Sequence, residues 1–241
     1  MLELALEGVD SVSYELITTA PIIPDFLPVS LASSGLDAST DITESSMPSA
    51  VLTSQQKMVD FAILLEADEG LPLQSAITTL LERRLSLGQK SINQTDYGRL
   101  IELPAPIAIE TKTAEGSVEE AKVQLGVWTA AWFRRMKMLM RDMTAADAES
   151  TPSSSTTQRT SATTISIPLL LVVGERWSLF YACEQNGRIT ISTSEVIGDT
   201  STILGIYKLM RCLRSIGQWL RGICALVRCQ CRLGPFSITC S

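Results

Sequence analysis

The chain has 241 residues, of which 45% are hydrophobic, and a formal net charge of −6. A chain of this length can bury one sizeable core, so one domain with extensions is expected. The sequence contains no histidine, which excludes Ser-His-Asp and Cys-His hydrolases, histidine-ligated metal nucleases and zinc fingers that require histidine. Any chemistry must therefore use carboxylates, lysine or cysteine.

The first fifty residues contain eight acidic residues and neither lysine nor arginine. Residues 1–20 are predicted to form a short helix and a strand, and residues 22–50, rich in Pro, Ser, Asp and Thr, an extended linker. The chain opens with Glu3 and Glu7 where a signal peptide needs positive charge, so no signal peptide is predicted. No apolar run reaches the roughly 18 residues that span a bilayer. We expect an intracellular protein, nuclear or cytoplasmic, without membrane contact.

The first clear strand, residues 57–65, carries one acidic side chain. Asp60 interrupts an otherwise apolar run, and a carboxylate is costly to bury there unless it is paired or bound to a metal. A short helix is predicted next over Leu73–Leu85, where leucine and isoleucine recur at helical spacing.

A second strand ends in a Glu-x-Lys pair. Its apolar part, Ile107–Ile109, is typical of a strand covered on both faces. Because side chains alternate along a strand, Glu110 and Lys112 are predicted to share a face. The carboxylate can bind Mg²⁺, and the lysine can orient water and offset charge on a phosphate, as phosphodiester hydrolysis requires. The alternative is a solvated strand end, since charged residues usually lie at the surface.

A long helix is predicted directly after this strand. Ser117 and Glu120 have the spacing of a capping box at its start. Gln124 lies one turn into the helix, where its side chain can reach back toward the end of the strand. The apolar stripe that we predict to face the core comprises Ala121, Leu125, Trp128, Trp132, Met136, Leu139 and Met143.

The net charge opposes phosphate binding, but the charges are unevenly distributed. After residue 50 the chain has 18 acids and 20 bases, and from Ile203 onward it has six bases and no acids. A second basic cluster is predicted to be a solvated helix end that complements the helix dipole, with a phosphate track as the alternative. This cluster consists of Arg134, Arg135, Lys137 and Arg141.

The second half of the chain begins with a Ser/Thr-rich stretch, residues 145–164, which is predicted to be a disordered insertion. Strands are predicted near residues 165–173, 176–183 and 188–194, and the last two are joined by a turn at Gln185–Gly187.

A closing helix is predicted from Asp199–Ser201, which offer N-caps, through Trp219. Its predicted core stripe is Ile203, Ile206, Tyr207, Met210, Leu213, Ile216, Trp219 and Leu220. Five of the six cysteines lie in the last thirty residues, and none forms a Cys-x-x-Cys pair. Free thiols are expected there, and the alternative is a zinc site built from Cys224, Cys229, Cys231 and Cys240.

A strand with Asp, a strand with Glu-x-Lys and a helix with Gln follow one another in the order of the PD-(D/E)xK nuclease core. The chain resembles the fungal PD-(D/E)xK nuclease-like domain family over most of residues 50–220. The matching segments are KMVDF at 57–61, TDY at 95–97, PIAIETK at 106–112, EEAKVQLGVWTAAW at 119–132, PLLLVVGERWSLFYA at 168–182 and IGDTSTILGIYKLMRCLRSIGQWL at 197–220.

The resemblance implies a catalytic set of Asp60, Glu110 and Lys112, with Gln124 similar to the helix glutamine of exonuclease-type members. Asp60 and Glu110 would bind Mg²⁺ or Mn²⁺, with the backbone carbonyl of Thr111 as a third ligand. Family members usually carry a longer N-terminal region. The N-terminus is therefore predicted to be shortened, without an acidic ligand that the family's N-terminal helix would supply.

These observations predict an α/β fold of the restriction-endonuclease-like type, with a small central mixed sheet flanked by the 117–142 and 200–220 helices. Residues 1–50 are predicted to be a remnant and linker, residues 51–222 the nuclease-like domain, and residues 223–241 a Cys-rich tail. The expected function is Mg²⁺-dependent cleavage of DNA or RNA, without a small-molecule cofactor. The alternative is a non-catalytic module that binds nucleic acid or protein. An intact site requires Asp60 and Glu110 to converge and the pKa of at least one of them to rise.

Overall fold

The computed structural model describes residues 1–27, 59–66, 72–85, 90–149, 166–185, 188–192 and 194–233. These residues form a mixed sheet with helices on both faces, which confirms the predicted α/β fold. In chain order the elements are α1 (Leu2–Leu6), β1 (Val12–Leu16), β2 (Phe61–Leu65), α2 (Pro72–Leu85), β3 (Ile107–Lys112), α3 (Val118–Glu149), β4 (Ser166–Val173), β5 (Arg176–Gln185), β6 (Arg188–Ile191), β7 (Glu195–Asp199) and α4 (Ile203–Leu233).

The strands are ordered β1-β2-β3-β4-β5-β6 across the sheet, and β7 also pairs with β5. β1 and β3 flank β2 and run antiparallel to it, whereas β3 and β4 are parallel. The parallel pair needs a crossover connection, and α3 lies within it. Since β4 pairs along β5 from Arg176 to Cys183, β6 and β7 share the other edge of β5.

The core lies on both faces of the sheet because β2, β3 and β4 carry apolar side chains on both sides. Ile107 and Ile109 of β3 face α1 and α4. Ala108, between them, faces α3, where Leu125 and Trp128 are buried against the sheet. β3 is therefore covered on both faces, as its sequence predicts.

Most elements agree with the sequence prediction. α2 matches the predicted helix at 73–85, and β4 and β5 match two of the predicted strands. α3 continues through Glu149, so the first residues of the predicted insertion are helical, and residues 150–165 lie outside the described part. The predicted linker contains a 3-10 turn at Pro24–Phe26, with Phe26 buried, and residues 28–58 are not described.

The closing helix is longer than predicted and rotated about its axis. α4 extends to Leu233, and its N-cap is Thr202, whose Oγ1 accepts a hydrogen bond from the backbone N–H of Gly205 at 2.9 Å. Ile203 and Tyr207 were predicted to be core, but they are 77% and 68% exposed. The predicted stripe is therefore wrong in the first turns of the helix and again at Trp219, which is 37% exposed. The side chains of Leu209, Leu213, Ile216 and Leu220 form the buried line.

Close backbone packing explains this rotation. Gly198 of β7 has φ +157°, and a Cβ there would lie 2.6 Å from the carbonyl oxygen of Gly205 and 2.8 Å from the Cβ of Leu209. Only glycine allows β7 and α4 to approach this closely. The contact turns Gly205 and Leu209 toward the sheet, so Ile203 and Tyr207 face outward.

Among the described helices, none combines the length and the hydropathy that crossing a bilayer requires.

Candidate active site

Glu110 lies near the end of β3, on the face covered by α3, and is only 2% exposed. Its Oε1 accepts a hydrogen bond from Lys112 Nζ at 2.9 Å. Its Oε2 is buried and has no hydrogen-bond partner. Burial raises the pKa of Glu110 to about 7, and the negative charge of Asp60 contributes to this rise, whereas the bond from Lys112 opposes it. The negative charge of ionised Glu110 is therefore only partly compensated, by the single bond from Lys112.

Lys112 connects the strand to the helix. Its Nζ donates to Gln124 Oε1 at 2.7 Å as well as to Glu110. Gln124 is 3% exposed, on the first turns of α3. Glu110 and Lys112 therefore share a face, and the glutamine reaches back to the strand end, as the spacing predicts. Two acceptors hold the ammonium group in place while its side chain stays 17% exposed.

Asp60 directly precedes β2, beside the end of β3. Its backbone N–H donates to the carbonyl of Ile109 at 3.0 Å. The pairing of β2 with β3 ends with Phe61 opposite Ile109, so Asp60 lies directly beyond the last pair, beside the end of β3 that carries Glu110. Asp60 Oδ2 accepts hydrogen bonds from the backbone N–H of Thr111, at 2.8 Å, and from its hydroxyl group. The structure therefore brings Asp60, Glu110, Lys112 and Gln124 to one end of the sheet.

An aspartate before one strand, a Glu-x-Lys pair on the next strand and a glutamine on the following helix occur in the order of the PD-(D/E)xK nuclease core. The family model described as the PD-(D/E)XK nuclease superfamily matches residues 1–224. The chain belongs to the PD-(D/E)XK nuclease superfamily. Comparisons with curated proteins and with solved structures yield no match. The family match includes α1 and β1, which lie in the segment predicted from the sequence to be a remnant.

Two further residues lie beside this candidate site and were not identified from the sequence. Glu120 was assigned only to the capping box, and its backbone N–H does donate to Ser117 Oγ at 3.1 Å. Its charge also contributes to the raised pKa of Glu110. Gly116 lies against Lys112, since a Cβ at this glycine would be 2.8 Å from the Cβ of the lysine. The i, i+4 relation between Glu120 and Gln124 is the sequence signal that could have identified the first of them.

The basic cluster on α3 has a structural role at one of its positions. Arg135 is fully buried, its guanidinium lies 5.0 Å from the centroid of the Phe26 ring, and it donates to the carbonyl of Ser91. Arg134 Nη1 donates to the carbonyl of Leu27 at 2.8 Å, and Lys137 forms an ion pair with Glu184. The prediction of a solvated helix end is wrong for Arg135, because α3 continues past it and other segments pack over it. The phosphate-track alternative is wrong for Arg135 for the same reason.

The acidic side chains suit Mg²⁺ or Mn²⁺ better than a metal that needs many protein ligands. The described residues contain no group of three or more His, Cys, Asp and Glu side chains that could hold a metal ion. Mg²⁺ is commonly bound through one or two carboxylates and keeps several waters. The buried, unpartnered Oε2 of Glu110 is an oxygen donor of this kind. Cys183 and Cys212 are free thiols, and the side chains of the tail cysteines proposed for zinc lie outside the described part.

Proposed function

We propose that the protein cleaves phosphodiester bonds in DNA or RNA with Mg²⁺ or Mn²⁺ as cofactor. The observation that carries this proposal is the environment of Glu110. One carboxylate oxygen bonds to Lys112, and the other is buried without a partner, with the charge of Asp60 nearby. Burying such a group is unfavourable unless a positive charge compensates it. A divalent cation supplies that charge.

Asp60 and Glu110 are the side chains that would hold the cation, with the backbone carbonyl of Thr111 as a proposed third ligand. When bound, the metal polarises the scissile phosphate and offsets the charge that develops on it. Thr111 supports this site from a second direction, because its backbone N–H and hydroxyl both donate to Asp60 Oδ2. These bonds fix the carboxylate before a ligand arrives, and its other oxygen is the one proposed to bind the cation.

Lys112 is the proposed catalytic cation. An ammonium group has three N–H donors, of which two are directed to Glu110 and Gln124. The third can hold an attacking water or a phosphate oxygen and stabilise negative charge there in the transition state. Gln124 acts through Lys112. Its buried amide oxygen accepts a second hydrogen bond from the ammonium group, so that this group is not oriented by Glu110 alone.

The experiment compares the wild type with Lys112→Ala and with Lys122→Ala as a matched control. Lys122 lies on the same helix as Gln124, but its side chain is 40% exposed and forms an ion pair with Glu119. Chelator-treated protein is incubated with single-stranded and double-stranded DNA and RNA, with and without Mg²⁺ or Mn²⁺. We expect cleavage that requires the metal, falls at least about 100-fold in Lys112→Ala and is retained in Lys122→Ala.

If the protein binds nucleic acid saturably but cleaves it under none of these conditions, the proposed nuclease activity is refuted. That result would support the alternative, a nuclease-like module that has lost catalysis. The fungal subgroup and an intracellular location stay predictions from the resemblance and the sequence.

A further inference from the structure

We propose that Glu120 is a positioning residue of this site, a third carboxylate that strengthens the binding of the divalent cation from the helix side. This inference rests on the proposed function and assigns Glu120 a role that its capping position does not require. Residues at i and i+4 of a helix lie on one face. Glu120 is therefore one turn from Gln124, the side chain that bonds Lys112, and on the same face of α3.

The start of α3 holds Glu120 in place. Ser117 Oγ accepts the hydrogen bond from the Glu120 backbone N–H, which caps the helix and fixes its first turn. Gly116 allows the loop before the cap to lie against Lys112, since a Cβ there would collide with the Cβ of the lysine. The half-buried side chain of Glu120 therefore belongs to a turn that is anchored beside the strand end.

The charges around Glu110 also favour a cation. Asp60 and Glu120 both act on Glu110 as negative charges, and Lys112 acts as a positive one. With all four groups ionised, they carry a net charge of −2, which one divalent cation neutralises. The Oε2 atom of Glu110 is buried and has no hydrogen-bond partner, and it is the oxygen through which Glu110 would bind the cation.

Glu120 is not proposed as a direct ligand, because no three carboxylates of the described residues are close enough together to hold a metal. Its proposed contact is with the hydration shell of the cation, since Mg²⁺ and Mn²⁺ keep waters when one or two carboxylates bind them. Groups in this outer position typically change metal affinity by about 10–100-fold.

The test is a Mn²⁺ titration of chelator-treated protein, with free Mn²⁺ followed by electron paramagnetic resonance. We compare wild type, Glu120→Gln and Glu119→Gln. The control makes the same charge change on the adjacent residue, which is exposed and pairs with Lys122. We expect Glu120→Gln to weaken Mn²⁺ binding at least about tenfold and Glu119→Gln to change it less than about twofold. Metal-free thermal melts establish that each variant is folded.

Equal affinities for the two variants would overturn the role of Glu120 while leaving the proposed function intact. A wild-type protein that binds no Mn²⁺ would overturn the proposed function itself. If Glu120→Gln does not fold, Glu120→Asp takes its place, because it keeps the charge and withdraws the carboxylate by one methylene group. Weaker Mn²⁺ binding by Glu120→Asp supports the proposal, and wild-type affinity overturns it.

Discussion

The Glu110→Gln substitution keeps the size of a buried side chain and removes its ability to ionise. The pKa of Glu110 is raised from 4.5 to about 7 in the folded protein, with burial as the largest cause and Asp60 and Glu120 adding to it. Below pH 4.5 the carboxyl group is protonated in both the folded and the unfolded chain. Between pH 4.5 and about 7 the unfolded chain loses this proton first. The free energy of unfolding therefore falls as pH rises through this window.

The size of the effect follows from the shift. One pKa unit corresponds to about 1.4 kcal/mol, so the shift at Glu110 corresponds to about 3 kcal/mol across the window. Wild type and Glu110→Gln should have similar stability at about pH 4.5. Above about pH 7.5 the variant should be the more stable protein, by about 3 kcal/mol in the absence of metal.

Urea denaturation of both proteins between pH 4.5 and 8 in the presence of a chelator measures this difference. Glu119→Gln is the control, since its carboxylate is exposed and should give a flat difference from wild type. A flat difference between wild type and Glu110→Gln over the same range would refute the reasoning. It would mean that Glu110 ionises without cost and that its environment does not call for a cation.

Three other substitutions test residues that position the site residues or stabilise the core. Gly116→Ala should lower cleavage by about 100-fold, because its Cβ would lie 2.8 Å from that of Lys112 and displace the ammonium group. Thr111→Val removes the hydroxyl that bonds Asp60 and should weaken Mn²⁺ binding about tenfold by the same titration. Arg135→Ala should lower the free energy of unfolding by about 3 kcal/mol in urea denaturation, since this side chain is fully buried.

Each of these variants has a control within the chain. Gly222→Ala should be harmless, because a Cβ there meets no atom within 4 Å. Thr111→Ser keeps the hydroxyl group and should bind Mn²⁺ like the wild type. Arg134→Ala removes one exposed hydrogen bond and should lower the free energy of unfolding by no more than about 1 kcal/mol. An equal effect of a variant and its control would contradict the corresponding prediction.

The local geometry of the site could be predicted from the sequence because it depends on short-range periodicity. The alternation of side chains places Glu110 and Lys112 on one face, and the helix start at Ser117 places Gln124 about two turns into the helix. Both regularities are set by backbone geometry and need no knowledge of the rest of the fold. The strand with Asp60 is different, since its pairing with β3 was expected only from the resemblance to the nuclease family.

Features that depend on tertiary packing were missed. β7, with sequence EVIGD, contains glycine and two acids and so lacks the composition typical of a strand. The rotation of α4 follows from the close approach of Gly198 and Gly205, which no single-helix pattern shows. Arg135 was expected in solvent because charged residues usually are, yet the ring of Phe26 and the carbonyl of Ser91 accommodate it in the interior.

The position of Asp60 depends on a register that the core itself determines. Three residue pairs join β2 to β3, including Ala62 with Ala108 and Ile63 with Ile107. The alanines face α3 and the isoleucines face α1 and α4. If β2 shifted by one residue relative to β3, its isoleucine would face α3 and its alanine would face α4. The layer between the sheet and α3 would then be overpacked, and the layer between the sheet and α4 would contain a cavity.

The same shift would move Asp60 relative to Glu110, because Asp60 directly precedes the first paired residue of β2 and Glu110 follows its partner, Ile109. Fifty residues separate them in the sequence, so no local interaction holds them together. The sizes of the side chains on the two faces of β2 and β3 therefore select the register, and the register sets the position of Asp60 relative to Glu110. Exchanging Ala108 for a large residue should consequently disturb the site as well as the core, although Ala108 itself faces only α3.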